Sequence, residues 1–456
     1  MQTTKAPVAE NKMGTMSVGR LLLSMSIPMM FSMLIQALYN IIDSIYIARL
    51  SEKALTAVSL AFPLQSLMIS FAVGTSVGVN SLIARRLGEQ KRCEAEKAAG
   101  NGIVLMLFTW AVFGVLGLLL PARFIGLFTS DALLVDLGST YLGICMVFSF
   151  GVFLSVVFEK IIQATGETTI AMLMQLIGAV INIILDPILI FGIKGLVPSM
   201  GIAGAAIATV TGQIGSMVFG LVMVRKNRFI TVRILKSRFD RKITGETYKV
   251  GLPSIIMQAM GTVMTSGMNA ILIQFHEIAT TVFGAYFKLQ SFVFLPVFGL
   301  NSGLTPIVGY NFGARRPRRI RRAVRYAIML ALGMMLTGLA VFHLIPGLLL
   351  DLFNASDLMK SVGLHALRRI SLAFPLAGIC IVFNGVFQGV GDGIYSMLVS
   401  IVRQLGILIP TAWILGRLFG LEAVWFAFVI AETVALAIST VFYLKERRRF
   451  HNLESL

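Results

Sequence analysis

Twelve apolar runs, each about 20 residues or longer, constrain this chain more than anything else in it. They cover residues 21–48, 54–84, 98–120, 136–162, 168–192, 201–224, 248–274, 279–310, 323–345, 361–388, 393–416 and 420–444. A segment of that length and character belongs in a bilayer, where its amides must be satisfied internally, so each run is expected to be a membrane-spanning α-helix. Charged residues make up 13% of the chain, against about a quarter in a soluble globule. The net charge of +18 would suit nucleic acid if the basic residues shared one face. They fall instead in clusters between the runs, and no nucleic-acid partner is expected. Cys93, Cys145 and Cys380 are far apart with no CxxC spacing, which speaks against a disulfide framework or a metal site and leaves them as packing residues. The first 20 residues contain no apolar core of a cleavable signal, so the first run is expected to direct insertion.

The linkers set an orientation. With the N-terminus inside, one side collects Arg85, Arg86, Lys91 and Arg92, then the group from Arg225 to Lys242 that includes Arg233, Lys236 and Arg238, then Arg315 to Arg322, then Lys445 to Arg449. That asymmetry makes both termini cytoplasmic.

The longest polar stretch follows the sixth run and divides the chain nearly in half, and the halves repeat. Pro28 and Pro253, Gly88 and Gly313, and Gln163 and Gln388 each differ by 225 positions. Gly201 to Ala208 echoes Gly420 to Ala427 at an offset of 219, as if the loop after the fifth run were longer in the first half. Six spans are an even number, so the repeats are parallel. The expected fold is an all-α polytopic membrane protein of two six-helix lobes with a cavity between them, a transporter architecture that works by rocking. Its parts are a tail at 1–20, a lobe at 21–224, a linker at 225–247, a second lobe at 248–444 and a tail at 445–456.

Charge breaks the symmetry. Asp43 in the first run and Asp186 in the fifth correspond to Met268 and Thr411, and Asn182 corresponds to Ile407. A carboxylate inside a spanning helix is costly and marks function by default. Asp43 lies six residues before Arg49 and Asp186 six before Gly192, about 9 Å from their outer ends at the helical rise, so the two can sit at one depth. Two carboxylates brought together in low dielectric hold a shared proton or a cation. Pro187 cannot donate to the carbonyl of Ile183 and is expected to bend the fifth helix beside Asp186. Asn182 shares a face with Asp186, Ala205 shares one with Thr209, and Met33, Gln36, Tyr39 and Asn40 precede Asp43 along the first helix as candidate cavity lining. The competing reading makes the acids interfacial groups that snorkel to the headgroups. Arg403 and Glu432, each in mid-span, are expected to form a structural ion pair. Glu159 and Lys160 read as a charge pair at the inner face, and Lys288 as facing the cavity or snorkelling outward.

Together, Ser26-Ile-Pro28, Gln36-x-x-Tyr39-Asn40-x-x-Asp43, Ala84-Arg-x-Leu-Gly88, Gln163-Ala-x-Gly166, Asn182-x-x-Leu-Asp186-Pro187 and Gly201-Ile-x-Gly204-Ala-Ala cover nearly the whole chain in order. In this combination the chain resembles the multidrug and toxic compound extrusion (MATE) family, in its MepA-like and DinF-like branches. The resemblance implies a V-shaped pair of lobes, in a monomer of the bacterial inner membrane. It also implies export of organic cations and amphipathic drugs against an inward flow of H+ or Na+, with no other cofactor. It assigns the first-lobe cation site to Asp43, Asn182 and Asp186 with Gln36 and Tyr39 nearby, and its remaining ligands to Thr209 and Ala205. NorM-like relatives place carboxylates deep in the seventh and tenth spans, where this chain has none. The alternative within the superfamily is a lipid-linked saccharide flippase, which needs cavity cations, and only Lys288 suits that role here. No P-loop is present to bind ATP.

Overall fold

A bilayer segment closes its amides only on itself, and every run folds as helix. The computed structural model describes residues 11–193, 195–232, 239–353 and 355–452. Arg233, Lys236 and Arg238 of the linker and the outer parts of both tails lie outside the described residues. The first lobe comprises α1 (Lys12–Thr15), α2 (Val18–Leu50), α3 (Glu52–Gly88), α4 (Arg92–Leu119), α5 (Pro121–Gly126), α6 (Ala132–Val147), α7 (Phe150–Ala164), α8 (Thr168–Phe191) and α9 (Gly201–Arg225). The second comprises α10 (Arg241–Leu272), α11 (Glu277–Gly313), α12 (Pro317–Leu344), α13 (Pro346–Asp351), α14 (Asp357–Ser371), α15 (Phe374–Val390), α16 (Gly393–Ile401), a π-helical turn at Val402–Leu408, α17 (Ile409–Phe419), α18 (Leu421–Val424) and α19 (Phe426–Asn452). Among the described residues ten helices are long and apolar enough to span, and counting each of two bent pairs as one span brings the number to twelve.

The bent pairs depart from the expectation of simple helices. The fourth run breaks by 47° between α6 and α7, and the tenth by 46° between α14 and α15. At the first break the Ser149 hydroxyl donates to Met146 O at 2.7 Å and the Trp110 indole donates to Val147 O at 3.0 Å. These are the carbonyls that a continuous helix would use. At the second break Pro375 has no amide to offer the preceding turn. Pro410 does the same within the eleventh run, just after the chain widens into the π-helical turn that carries Arg403. The seventh helix begins at Arg241, inside the stretch expected to be linker. Pro187 leaves α8 as one helix through Phe191. Cys145 and Cys380 are packed as expected, but Cys93 is exposed on the first turn of α4.

The lobes meet along α3 with α10 and α2 with α11, and glycine permits the approach. Gly74 and Gly78 of α3 lie against the backbone of Ile255 and Thr247, and their repeat mates Gly299 and Gly303 of α11 lie against Met30 and Ser26. Gly88 abuts Tyr310, and Gly313 abuts Arg85. Both helices end alike, with Lys91 N–H bonded to Arg86 O and Arg316 N–H bonded to Asn311 O at 2.9 Å. Polar contacts reinforce the seam: Arg86 pairs with Glu246 at 2.6 Å, Arg85 donates to Val390 O at 3.3 Å, and Ser81 donates to Gln388 O. The segment before α2 crosses it too. Asn11 donates to Thr165 O at 2.9 Å, while Arg316 reaches Gly14 O at 2.7 Å and Arg319 reaches Met16 O at 2.6 Å. All these contacts lie toward the arginine-rich end. Toward the other end, residues 33–46 of α2 and 258–266 of α10 are exposed or half-buried, so the V opens there.

Candidate cation site

Asp43 and Asp186 are 143 positions apart in sequence, and α2 packing along α8 brings them together. Their carboxyl groups lie within hydrogen-bond reach of each other. Asn182, one turn along α8, donates its amide to Asp186 Oδ1 at 3.2 Å and to Thr209 Oγ1 of α9 at 3.5 Å. The approach of α9 depends on glycine again, since a Cβ on Gly212 would stand 2.6 Å from the Gly178 carbonyl and 3.2 Å from Asn182 Cβ. Asp186 is fully buried, and Asn182 and Thr209 nearly so.

The electrostatics of this cluster are unbalanced. Asp43 Oδ1, Asp186 Oδ2 and Asn182 Oδ1 are buried and receive no donor from the protein. No Lys or Arg pairs with either acid among the described residues. Two carboxyl groups this close are compatible only if a proton or a cation lies between them, and the oxygens of Asp43, Asp186, Asn182 and Thr209 form a hard donor set suited to either.

The remaining candidates divide. Tyr39, half-buried, is in electrostatic reach of both acids. Ala205 is fully buried, one turn from Thr209 on α9, and brings no polar side-chain atom. Met33 and Gln36 are half-buried and Asn40 is exposed, with no side-chain hydrogen bond to the acids. Lys288 is exposed, its ammonium 6.0 Å from the centroid of the Phe353 ring. Arg403 and Glu432 form the expected ion pair at 3.0 Å. Glu159 and Lys160 also pair, at 3.3 Å, and both are buried in a network with Gln163 and Gln175.

Sequence reading missed a second polar layer. Tyr141 of α6 is buried, beside Gln65 of α3 and Cys145, and within the field of Asp43. The signal was present, since Gly138, Tyr141, Leu142 and Cys145 form one buried helical stripe.

Acids paired inside one lobe of a duplicated bundle, whose lobes are closed at one end and parted at the other, define a membrane transporter. Its family can be given as well. The MatE family model matches the chain twice, at residues 28–188 and 253–414, and the chain belongs to the MatE family. It is 26% identical over 435 residues to the multidrug export protein MepA of Staphylococcus haemolyticus, covering 94% of this chain and 95% of that one. It is similar, with a TM-score of 0.91 and 26% identity over 99% of this chain and all of the other, to a solved structure described as the outward-facing conformation of a multidrug resistance MATE family transporter. A MOP superfamily transporter from Pyrococcus furiosus, whose binding pocket is described as having reverse polarity, gives a TM-score of 0.90 and 26% identity over 98% of this chain and all of that one.

Proposed function

We propose that the chain is an antiporter that exports cationic and amphipathic organic compounds by alternating access, coupled to H+ or Na+. The arginine-rich end, with both termini, lies on the cytoplasmic side of a bacterial inner membrane. The observation that carries this reading is the meeting of Asp43 and Asp186 with three buried oxygens that no protein donor satisfies. The roles follow from the chemistry. The acids bind the coupling ion, Asn182 orients Asp186 through its amide, and Thr209 supplies the fourth oxygen. Ion binding draws α2 onto α8, and ion loss leaves two like charges that push them apart. Because α2 also lines the opening of the V, that movement changes the cavity in which a cationic substrate sits, so that ion and substrate bias one two-state element. The resemblance to MepA, a named multidrug export protein, supports drug-like cations as substrates. Lys288, the one cation a flippase reading could enlist, is exposed with its ammonium over the Phe353 ring.

Dye efflux from proteoliposomes, driven separately by a pH gradient and by a sodium gradient, tests the reading. One gradient is expected to drive efflux in the native protein, and D43N and D186N are expected to abolish it without loss of folded protein. Undiminished gradient-driven efflux in both variants would overturn the assignment.

A further inference from the structure

The lobes differ at their arginine-rich ends as much as at the cation site. In the first lobe the rim is neutralised internally: Arg86 pairs with Glu89 at 2.8 Å and with Glu94 at 3.1 Å, and Arg92 pairs with Glu96 at 3.1 Å. The corresponding stretch of the second lobe keeps none of those acids, with Glu89 replaced by Ala314, Glu94 by Arg319 and Glu96 by Arg321. From Ile278 to Leu350 the chain holds no Asp or Glu at all. Asp392 pairs with Arg449 at 2.6 Å, and Glu446 with the same arginine at 3.5 Å.

These arginines have separate uses. Arg316 and Arg319 turn inward to the backbone of the segment before α2. Arg322 and Arg325 are exposed on α12 and form no ion pair among the described residues. They share a face, and that face continues along the helix as Met329, Gly333 and Leu336, all exposed and apolar. Gly333 leaves open space where a side chain would stand. Across the seam Tyr326 lies 3.7 Å from a Cβ built on Gly19, which brings the start of α2 and its exposed Arg20 to the same rim.

Paired, unneutralised guanidinium groups at the end of an apolar, shallow helical face match one class of partner. We propose that Arg322 and Arg325 bind the headgroup of an anionic phospholipid, with an acyl chain lying along Met329, Gly333 and Leu336. Charge complementarity selects the headgroup and the apolar track selects a lipid over a free phosphate. This depends only on the chain spanning a membrane, not on what it exports.

Native mass spectrometry of the purified protein with phosphatidylglycerol or phosphatidylcholine tests it. The native protein is expected to retain phosphatidylglycerol preferentially. R322Q/R325Q is expected to bind it about thirty-fold more weakly, at about fivefold per basic residue beside an anionic surface. R322K/R325K keeps the charge and is expected to stay within about threefold. K97Q, at the first-lobe position matching Arg322, is expected to leave binding unchanged. Equal retention of both lipids by the native protein, or R322Q/R325Q behaving as K97Q does, overturns the proposal. Displacement of the lipid by millimolar inorganic phosphate would make this a soluble-anion site and overturn it as well. Should R322Q/R325Q not yield folded protein, the native lipid comparison and R325Q alone decide.

Discussion

The closed seam is set by glycine against backbone, and one methyl group should unbalance it. A Cβ on Gly78 would overlap Thr247 O and stand 3.0 Å from Gly251 N and 3.1 Å from Thr247 C. All three are main-chain atoms of α10, which cannot rotate aside as a side chain would, so Gly78→Ala must push α3 from α10. Carbon atoms pack best at about 3.5–4.0 Å, so the helices must part by roughly half an ångström or more. Overpacking of this kind costs about 1–3 kcal/mol. The cost exists only while the seam is closed, so it enters directly into the equilibrium between closed and open ends and shifts it about fivefold to 150-fold toward opening. Gly303→Ala should act likewise on the other side, where its Cβ would stand 2.6 Å from Ser26 Oγ and 2.9 Å from the Met25 and Ser26 backbones. Because the two contacts share no residue, their effects should add. Gly261, on α10 but with nothing within 4 Å of its Cβ, is the matched control. Cys93 is exposed while Cys145 and Cys380 are buried, so adding R448C gives a spin-label pair across the seam without removing any native cysteine. Double electron–electron resonance should show a longer-distance population in Gly78→Ala and Gly303→Ala, absent in Gly261→Ala. Identical distance distributions in Gly78→Ala and Gly261→Ala would refute the reasoning.

Three further outcomes are expected. Glu159→Gln removes the only counter-charge that buried Lys160 has among the described residues and should cost about 3–5 kcal/mol, read as a fall in the thermal midpoint in detergent, while E159Q/K160M recovers most of it. Equal midpoints for the single and double variants would contradict this. Arg319→Ala removes the donor to Met16 O and Asn311 Oδ1 and leaves Met13 O with the Asn311 amide alone, and hydrogen exchange over residues 12–16 should speed up by at least about tenfold, since hydrogen bonds to a charged group contribute roughly 1.5–3 kcal/mol. Thr209→Val keeps the shape but removes Oγ1. If sodium is the coupling ion, its half-saturation concentration for efflux should rise about tenfold, the equivalent of 1.4 kcal/mol, whereas a proton-coupled protein should keep its pH dependence.

Much of this molecule could be read before any coordinates, and the parts that could not have a common cause. Helices, repeat and acid pair were legible because a bilayer leaves a run of twenty apolar residues one fold to adopt and makes a charge within it rare. Arg403 and Glu432 were legible on the same ground, and they do pair. Tyr141 was not, because a tyrosine is at home in many parts of a membrane helix and only its neighbours Gln65 and Cys145 give it significance. The bend at Phe148 was hidden as well, since it depends on Trp110 of another helix, whereas Pro375 announces its own. Gly78 and Gly261 look alike in sequence and differ only in what faces them. Comparison of the two repeats recovers part of what single positions conceal. Met268 occupies the place of Asp43 and is fully buried in the core of its own lobe, so this fold packs that position well with an apolar side chain. A carboxylate is therefore not what the architecture requires there. The first lobe keeps one, beside a second, at the expense of packing, and that supports a role for the pair in binding an ion rather than in holding the helices together.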